Sequence, residues 1–461
     1  MARWRWIWLQ VSNRLWLRAT LIGGMGVLAA ILAAVAENFI PWSLSTPIGA
    51  DAIDSLLSII ASSMLAVTTF SLSVMTSAYG SATSNVTPRA TKLVMEDSAT
   101  QNVLSTFIGS FLFSIVGIVA LKAGIYGDRG RVVLFVVTIA VIALIVISLL
   151  HWIDHLTKLG RVGETTSRVE KATEKAIHTR LRVPYLGGVP LLEDEALSPG
   201  KISPVTTPII GYVQFVDIAA LNNCCETYNI SLRLQAVPGT FVYPHTPLAH
   251  IVENEPLQEE TSGSQADEEE QSLEERQEKR KKRLEAMQEA IRDAFSINDE
   301  RSFPQDPRFG LAVMSEIASR ALSPGINDPG TAIDIIGRST RLMNLWAQGE
   351  NTAKDKEAAY PLVHIPALRS ADLFEDAFMA IARDGAGLIE VQLRLHKALM
   401  ALSHMGDDAF RAAARHQARL ALARAEQGLP AEADKARLQA LTEQTGLGPI
   451  TSQDADNRAP A

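Results

Sequence analysis

Only two cysteines occur in 461 residues, side by side at Cys224 and Cys225. Neighbouring residues on a strand point to opposite faces, so the pair makes a poor chelate and a poor disulfide. Two reduced, partly buried thiols are the expectation. Basic charge is also short: 43 Lys and Arg stand against 51 Asp and Glu, a net charge of −8. Phosphate binding needs a concentrated basic face, so nucleic acid is not an expected partner. The chain has no Gly-rich phosphate loop, no nucleophile elbow, no clustered Cys/His ligands and no kinase signature. Catalysis and a cofactor are therefore not expected. Finally, no acidic or basic residue lies in the middle of any long apolar run. Proton relays and voltage sensors usually need intramembrane charge, and both are disfavoured.

Apolar runs are what the first third has in abundance. A stretch of about 20 apolar residues crosses the hydrocarbon core, and four segments qualify, roughly 17–36, 53–77, 102–123 and 132–151. Ala34-Val35-Ala36 fits a signal-peptide cleavage pattern. The first run is longer than a usual signal core, however, and Trp4, Trp6, Trp8 and Trp16 alternate with Arg3, Arg5, Arg14 and Arg18 before it. Indoles beside arginines suit the headgroup layer, so this helix is read as a retained anchor. The loop at 37–52 has no Lys or Arg, whereas Arg89 and Lys92 follow the second run. Lys158, Arg161, Arg168, Lys171 and Lys175 follow the fourth. The distribution predicts a multi-pass protein of the bacterial inner (plasma) membrane with both termini cytoplasmic, Arg129 and Arg131 being the one discordant pair.

The second run is crowded with hydroxyls. Ser55, Ser58, Ser62, Thr69, Ser73 and Thr76 fall at three- and four-residue steps broken only by Ala66, which places them on one helical face. Two readings stand. The hydroxyls pack against small residues of neighbouring spans, Gly23, Gly24 and Gly26 of the first or Gly109 and Gly117 of the third. Alternatively, they line a hydrated path. At the end of the fourth run, His151 and His155 share a face at i and i+4, a spacing that can hold zinc, although no third ligand is evident nearby beyond the candidate Glu164. The ordinary alternative is a pair of interfacial histidines at a helix C-terminus.

The fold class expected is membrane α-helical, with about four transmembrane helices in 1–155, plus a cytoplasmic α+β domain. The latter has a connecting helix and small β-rich module at 156–252, a charged flexible insert at 253–283, a helical region at 284–426 and a partly disordered tail at 427–461. Ile209 to Val216 reads as a strand, Asp217 as the N-cap of a short helix reaching Tyr228, and Ile230 to Leu234 as another strand. Pro238 to Leu248 looks like a hairpin of a biotinyl- or lipoyl-type barrel. No lysine occurs between Lys201 and Lys279, which excludes a swinging-arm carrier. Helices are expected at 284–295, 307–322, 333–347, 371–404 and 406–426. Between the second and third lies Arg320-Ala321-Leu322-Ser323-Pro324-Gly325-Ile326-Asn327-Asp328-Pro329. There Gly325 is expected to take a left-handed conformation, Asp328 to cap the next helix and Pro329 to occupy its first position. This is either a helix-turn-helix with strict turn chemistry or a polar site where Arg320, Asn327 and Asp328 meet a ligand or another subunit.

Taken together these motifs resemble a bacterial family of predicted membrane proteins catalogued as domain of unknown function 2254. The resemblance runs over about residues 5–405. It rests on the hydroxyl-rich second run leading to Ser84-Asn85-Val86-Thr87-Pro88-Arg89, His151 and His155, and Gly211-Tyr212-Val213-Gln214 with Asp217. Pro238-Gly239 with Pro247-Leu248, and Gln305-Asp306-Pro307 leading to the 320–329 motif, complete it. Thr76 to Arg89 departs from the family's usual run, and Gly330 stands where a bulky residue is usual. The resemblance implies a fold and a membrane location and carries no activity.

Two function classes follow. One is an oligomeric channel or transport-like protein, a homo-oligomer in the lipid bilayer with a cytoplasmic assembly or gating domain. The other is a membrane-anchored scaffold or sensor whose cytoplasmic domain binds a partner.

Overall fold

The structure is a computed structural model, and it describes residues 15–35, 50–95, 97–192, 202–253, 269–353 and 358–443. The chain forms two compact units, residues 4–168 and residues 169 onward.

The first unit is helical: α1 (Leu15–Val35), α2 (Ala50–Asn85), α3 (Pro88–Met95), α4 (Ser98–Lys122) and α5 (Asp128–Leu156), followed by the start of α6 (Val162–Arg182). Among the described residues three stretches, Asp51–Ser81, Ala99–Lys122 and Arg129–Leu156, are long and apolar enough to cross a membrane. Four crossings are expected from the sequence. The first of them falls on α1, a 21-residue apolar helix of which Thr20–Ala29 is the apolar stretch among the described residues. The central helix is α4, which packs against α1, α2 and α5. Phe107 and Phe113 of α4 are buried with Leu57, Ile60 and Met64 of α2 and with Leu134, Ile145 and Trp152 of α5.

Two of the glycines of α1, Gly23 and Gly26, meet α4, while Gly24 meets nothing within 4 Å. A Cβ on Gly26 would lie 2.7 Å from the Gly109 carbonyl oxygen, and one on Gly23 would lie 2.8 Å from the Leu112 side chain. The expectation that Gly23 and Gly26 serve α2 is thus corrected, because their close approach is to the third run. Gly117 does face α2, at Leu57.

The second unit joins two small sheets to a layer of helices. Its remaining elements are β1 (Val189–Pro190), β2 (Ile202–Thr206), β3 (Gly211–Val216), α7 (Ile218–Tyr228), β4 (Ile230–Leu234), β5 (Phe241–Val242), β6 (Pro247–Glu253), α8 (Glu269–Asp293) and β7 (Phe295–Asn298). Then come α9 (Pro307–Ala321), α10 (Pro329–Ala353), β8 (Val363–Ile365), α11 (Ser370–Asp384), α12 (Ile389–Leu402), α13 (Asp408–Gly428) and α14 (Glu432–Glu443). One sheet runs β1-β8-β4-β6-β2 and the other β5-β3-β7. In β4 the alternation puts Ile230, Leu232 and Leu234 inward, beside Leu221 and Cys225 of α7. Both cysteines are buried on α7, and burial pushes the Cys225 thiol up to about 12. Asp217 caps α7 as its position predicts, accepting from the Ala220 amide at 3.2 Å.

Several elements differ from the sequence reading, among them α8, which begins at Glu269 inside the expected flexible insert. The stretch at 238–248 is not a hairpin: β5 pairs with β3, while β6 pairs with β2 and β4 in the other sheet. The single helix expected at 371–404 is two, α11 and α12, separated at Gly385–Leu388, and α14 lies where a tail is expected. Gly325 is not left-handed; Asn327 takes that role, with φ 50°.

Three separated motifs converge on Asp306. This N-cap of α9 is 2% exposed and accepts from the Phe309 amide at 3.1 Å and from Arg301 Nε at 2.8 Å and Nη2 at 3.0 Å. Gly239, at φ +97°, lies directly against its carboxylate, and the Gly239 amide donates to the Val213 carbonyl at 2.8 Å. Gln305 Oε1 accepts from the Val216 amide at 3.1 Å. The buried Arg180 guanidinium adds a favourable field, although burial brings it down to about 10.

A Cβ at Gly239 would sit within van der Waals radii of a carboxylate that cannot move away. Gly239→Ala is expected to destabilise this unit by about 3 kcal/mol through backbone strain and overpacking. Gly325→Ala adds a Cβ that meets nothing within 4 Å and is expected to stay within about 0.5 kcal/mol of wild type. Thermal or denaturant unfolding of the purified full chain checks both; equal effects would refute this account of the Gly239–Asp306 contact.

Candidate functional site

The sequence-predicted hydroxyl face is real and faces outward. Ser55, Ser58, Ser62, Thr69, Ser73 and Thr76 are all exposed on α2. At about 100° per residue these six fall within an arc of about 60°. The buried positions of α2, Ile53, Leu57, Ile60, Ala61, Met64, Ser71 and Met75, occupy the opposite side. Within one chain, therefore, the six hydroxyls take no part in packing α2 against α4 and α5. Exposed Ile59, Leu65, Phe70 and Leu72 flank the stripe.

Three of the six hydroxyls turn their protons back onto the helix. Ser62 Oγ donates to the Ser58 carbonyl at 2.9 Å, Thr69 Oγ1 to the Ala66 carbonyl at 2.9 Å and Thr76 Oγ1 to the Leu72 carbonyl at 2.7 Å. Such back-bonding satisfies the donor locally and leaves oxygen lone pairs facing away from the helix. At Ser62, Thr69 and Thr76 the stripe therefore presents hydrogen-bond acceptors rather than donors.

At one end of this bundle sits an ionic cluster that the sequence reading finds only in part. Asp97 is the N-cap of α4, its Oδ2 accepting from the Thr100 amide at 3.1 Å and the Thr100 hydroxyl at 2.7 Å. His155 Nε2, near the end of α5, lies 2.8 Å from Oδ2 and 2.9 Å from Thr100 Oγ1. Because that hydroxyl already donates to the carboxylate, Nε2 carries the proton and donates to Asp97. Arg168 Nη1 lies 3.0 Å from Asp97 Oδ1, and its Nε donates to Glu164 at 3.2 Å. Burial alone would raise the Asp97 carboxyl. The hydrogen bonds from His155 and Thr100 and the charge of Arg168 outweigh it and hold the group well below the usual carboxylate range. Trp152 stacks on His155 with ring centroids 5.8 Å apart.

His151 and His155 thus have separate partners. His151 is exposed, and its Nδ1–H donates to the Ile147 carbonyl at 2.9 Å. Glu164, the third ligand considered from sequence, is engaged by Arg168. Among the described residues no group of three His, Cys, Asp or Glu side chains is placed to hold a metal ion. Asp97 was the missed member. Its signal was the Asp97-x-x-Thr100 capping pattern before an apolar run; its link to residue 155 is tertiary and leaves no trace in local spacing.

Asn327 and Asp328 lie on an exposed turn between α9 and α10, and Arg320 is exposed in the last turn of α9. Asp328 caps α10, accepting from the Thr331 amide at 3.0 Å and hydroxyl at 2.6 Å, and these bonds lower its carboxyl. The Asn327 amide donates to the Ser323 carbonyl at 2.8 Å and the Asp328 amide to the Ala321 carbonyl at 2.8 Å. Turn chemistry accounts for Asn327 and Asp328, while Arg320 stays exposed beside them.

Asp97→Asn removes the charge that Arg168 and His155 share and is expected to cost roughly 2 kcal/mol at neutral pH. The sign follows from the depressed carboxyl: its contribution is complete above the unfolded value of about 4 and is lost as pH falls further toward the folded value. The stability gap between wild type and variant should therefore be flat from neutral pH to about 4 and close only below that. A gap that closes between neutrality and about pH 5 would contradict this assignment.

Comparison with known proteins agrees with this architecture. Two relatives, uncharacterised proteins of Mycobacterium bovis and Mycobacterium tuberculosis, are each 58% identical to the chain over 40 residues, 9% of this chain. That match covers 8% of each relative's length. No solved structure matches the chain. The family described as predicted membrane protein, DUF2254, matches residues 12–401, most of the chain and both compact units. With three membrane-length apolar helices already in place, the chain belongs to the DUF2254 family of predicted membrane proteins.

Proposed function

We propose that this protein is an oligomeric channel or transport-like protein whose polar path is lined by α2 from several copies of the chain. The observation that carries the reading is the outward placement of all six hydroxyls, opposite the face of α2 that packs within the chain. From Ser55 to Thr76 the stripe extends over about 31 Å at 1.5 Å per residue, close to the roughly 30 Å hydrocarbon thickness of a bilayer. A hydroxyl stripe of that length supplies acceptors across the whole barrier. Where the protons are bonded inward, at Ser62, Thr69 and Thr76, the stripe favours cations over anions.

In this reading α1 is a fourth crossing. Its 21 residues span about 31 Å, enough for the hydrocarbon core, and its close glycine contact holds it on α4. Four crossings put both termini on one side, and the basic residues after α5 make that side the cytoplasm of a bacterial inner membrane. The second unit then serves as the cytoplasmic assembly or gating domain.

Single cysteines at Ser58, Ser62 and Ser73 are expected to react with a water-soluble, membrane-impermeant thiol reagent in the assembled protein. Cysteines at Phe70 and Leu150, exposed elsewhere on the same bundle, are expected to stay silent. The native thiols are buried and do not confuse the readout. Purified oligomers in planar bilayers are expected to pass unitary currents that fall when Ser62, Thr69 and Ser73 are changed to Leu. Unreactive stripe positions and no current across voltage, tension and pH would defeat the channel reading. A membrane-anchored scaffold or sensor would replace it.

A further inference from the structure

Near its end α8 docks on the second unit, with Met287 and Ile291 buried in one core with Leu221 of α7 and Val205 of β2. Ahead of that anchor the helix stands clear. Every residue from Glu278 to Ala286 is exposed, more than two turns at 3.6 residues each, so no side of the helix is covered there. The stretch carries Lys279, Arg280, Lys281, Lys282 and Arg283 in succession against two carboxylates, Glu278 and Glu285. Lys282 Nζ lies 3.4 Å from Glu278, with both side chains mostly exposed, and Arg283 lies 5.6 Å over the Tyr228 ring. Lys279, Arg280 and Lys281 have no ion pair among the described residues.

The run works against the helix that carries it. Lys279 and Lys282, and Arg280 and Arg283, stand at i and i+3, and Lys279 and Arg283 at i and i+4, spacings at which like charges destabilise a helix. No apolar face compensates, since Leu284 is the one large apolar side chain of the stretch and is 40% exposed. Packing of the domain therefore gives this surface no role.

We propose that this segment of α8 docks on the anionic phospholipid headgroups of the membrane that carries the first unit. Charge complementarity supplies the recognition. Five consecutive residues turn through more than a full circle, so a protein partner reading one helix face would meet only one or two of them. A charged bilayer surface acts over a Debye length of about 8 Å at physiological ionic strength, comparable to the helix diameter of about 10 Å, and attracts all five. The membrane-length helices of the same chain hold the run near such a surface at high effective concentration. The glutamates that open α8, Glu269, Glu270, Glu274 and Glu275, are repelled by that surface, which confines contact to the middle of the helix. None of this depends on a polar path along α2.

The test uses the full chain in nanodiscs, with a fluorophore on Ala286→Cys and a headgroup nitroxide lipid as a short-range quencher; both native cysteines are buried. Quenching is expected to be stronger in phosphatidylglycerol than in phosphatidylcholine, and to fall to the phosphatidylcholine level in about 1 M salt, where the Debye length is about 3 Å. Lys279→Gln with Arg280→Gln and Lys281→Gln should remove the difference, a loss of roughly a hundredfold in preference for the anionic lipid. Gln is as good a helix former as Lys, so circular dichroism should be unchanged. Lys279→Arg with Lys281→Arg should keep the difference, as should Lys435→Gln on α14. Three results would each overturn the proposal: equal quenching in the two lipids at low salt, a difference that survives high salt or the triple substitution, or an RNA oligonucleotide that binds through the same three cations and displaces the helix from phosphatidylglycerol.

Discussion

The second unit depends on a buried carboxylate at a helix N-terminus. Asp306 begins α9, and α9 packs against both α10 and α11. A charge with 2% exposure is tolerable only if every lone pair has a partner and the charge is opposed. Here the opposing charge is Arg301 in a two-pronged contact, supplemented by the field of Arg180, and the helix supplies a backbone amide. Gly239 then approaches where no side chain could, which fixes the β3–β5 edge to α9. The membrane-type unit uses the same device at Asp97: a helix-capping aspartate, an arginine opposite it, and a second element held through the remaining oxygen valence. The Asp97 cluster gathers the N-terminus of α4, the end of α5 and the start of α6.

What local spacing encodes was legible in the sequence. The hydroxyl stripe, the capping of α7 by Asp217 and of α10 by Asp328, and the starts of α9 and α10 all follow from i, i+3 and i+4 relations or from N-cap chemistry. What was not legible depends on which elements meet. The glycines of α1 carried no sign of their partner, because a small residue announces close approach but not to whom. Asp97 and His155 are far apart in sequence, so the histidine was first weighed as a metal ligand. The helix at 371–404 was read as continuous because apolar periodicity carries across Gly385 and Gly387; a Cβ at Gly385 would lie 2.7 Å from Val391, so the chain turns there at close quarters. At the 323–328 turn, Gly325 was the natural choice for a left-handed residue, but Asn also tolerates that region, and Asn327 is the one that adopts it.

Energetics alone do not dictate which way the α2 stripe must face. Serine and threonine bonded back to their own helix carry no orphan donor, so their exposure to lipid costs little. The helix could therefore have buried these small residues against α4 and turned its leucines outward. It does the reverse: Leu57, Ile60 and Met64 pack inward, and the hydroxyls are left free of intrachain contacts between helices. Large apolar groups fill space between helices and gain dispersion contacts that hydroxyls cannot match, which accounts for the inward face. It does not account for a stripe of hydroxyls continuing for the thickness of a bilayer on the outward face, where leucine would serve a lipid-facing helix equally well. That surplus of polarity is the part of the sequence that stability leaves unexplained.

The ionic ties of the first unit lie toward the ends of its helices. Asp54 and Lys122 approach to 3.6 Å where α2 begins and α4 ends, and Asp97, His155 and Arg168 gather where α4 begins and α5 ends. Between these positions α2 and α4 are held by apolar and close-packed contacts, with Gly117 against Leu57 among them. Partly exposed end ties are screened by water and salt and contribute modestly, as the 68% exposed Lys122 must. A helix held this way can turn or slide against its neighbours by repacking side chains, without pulling a charge through hydrocarbon, a step that would cost at least about 2.5–3.5 kcal/mol. Motion of α2 is thus cheap relative to that of a charged span, and whatever faces the stripe meets a surface whose orientation can be changed by forces applied at its ends.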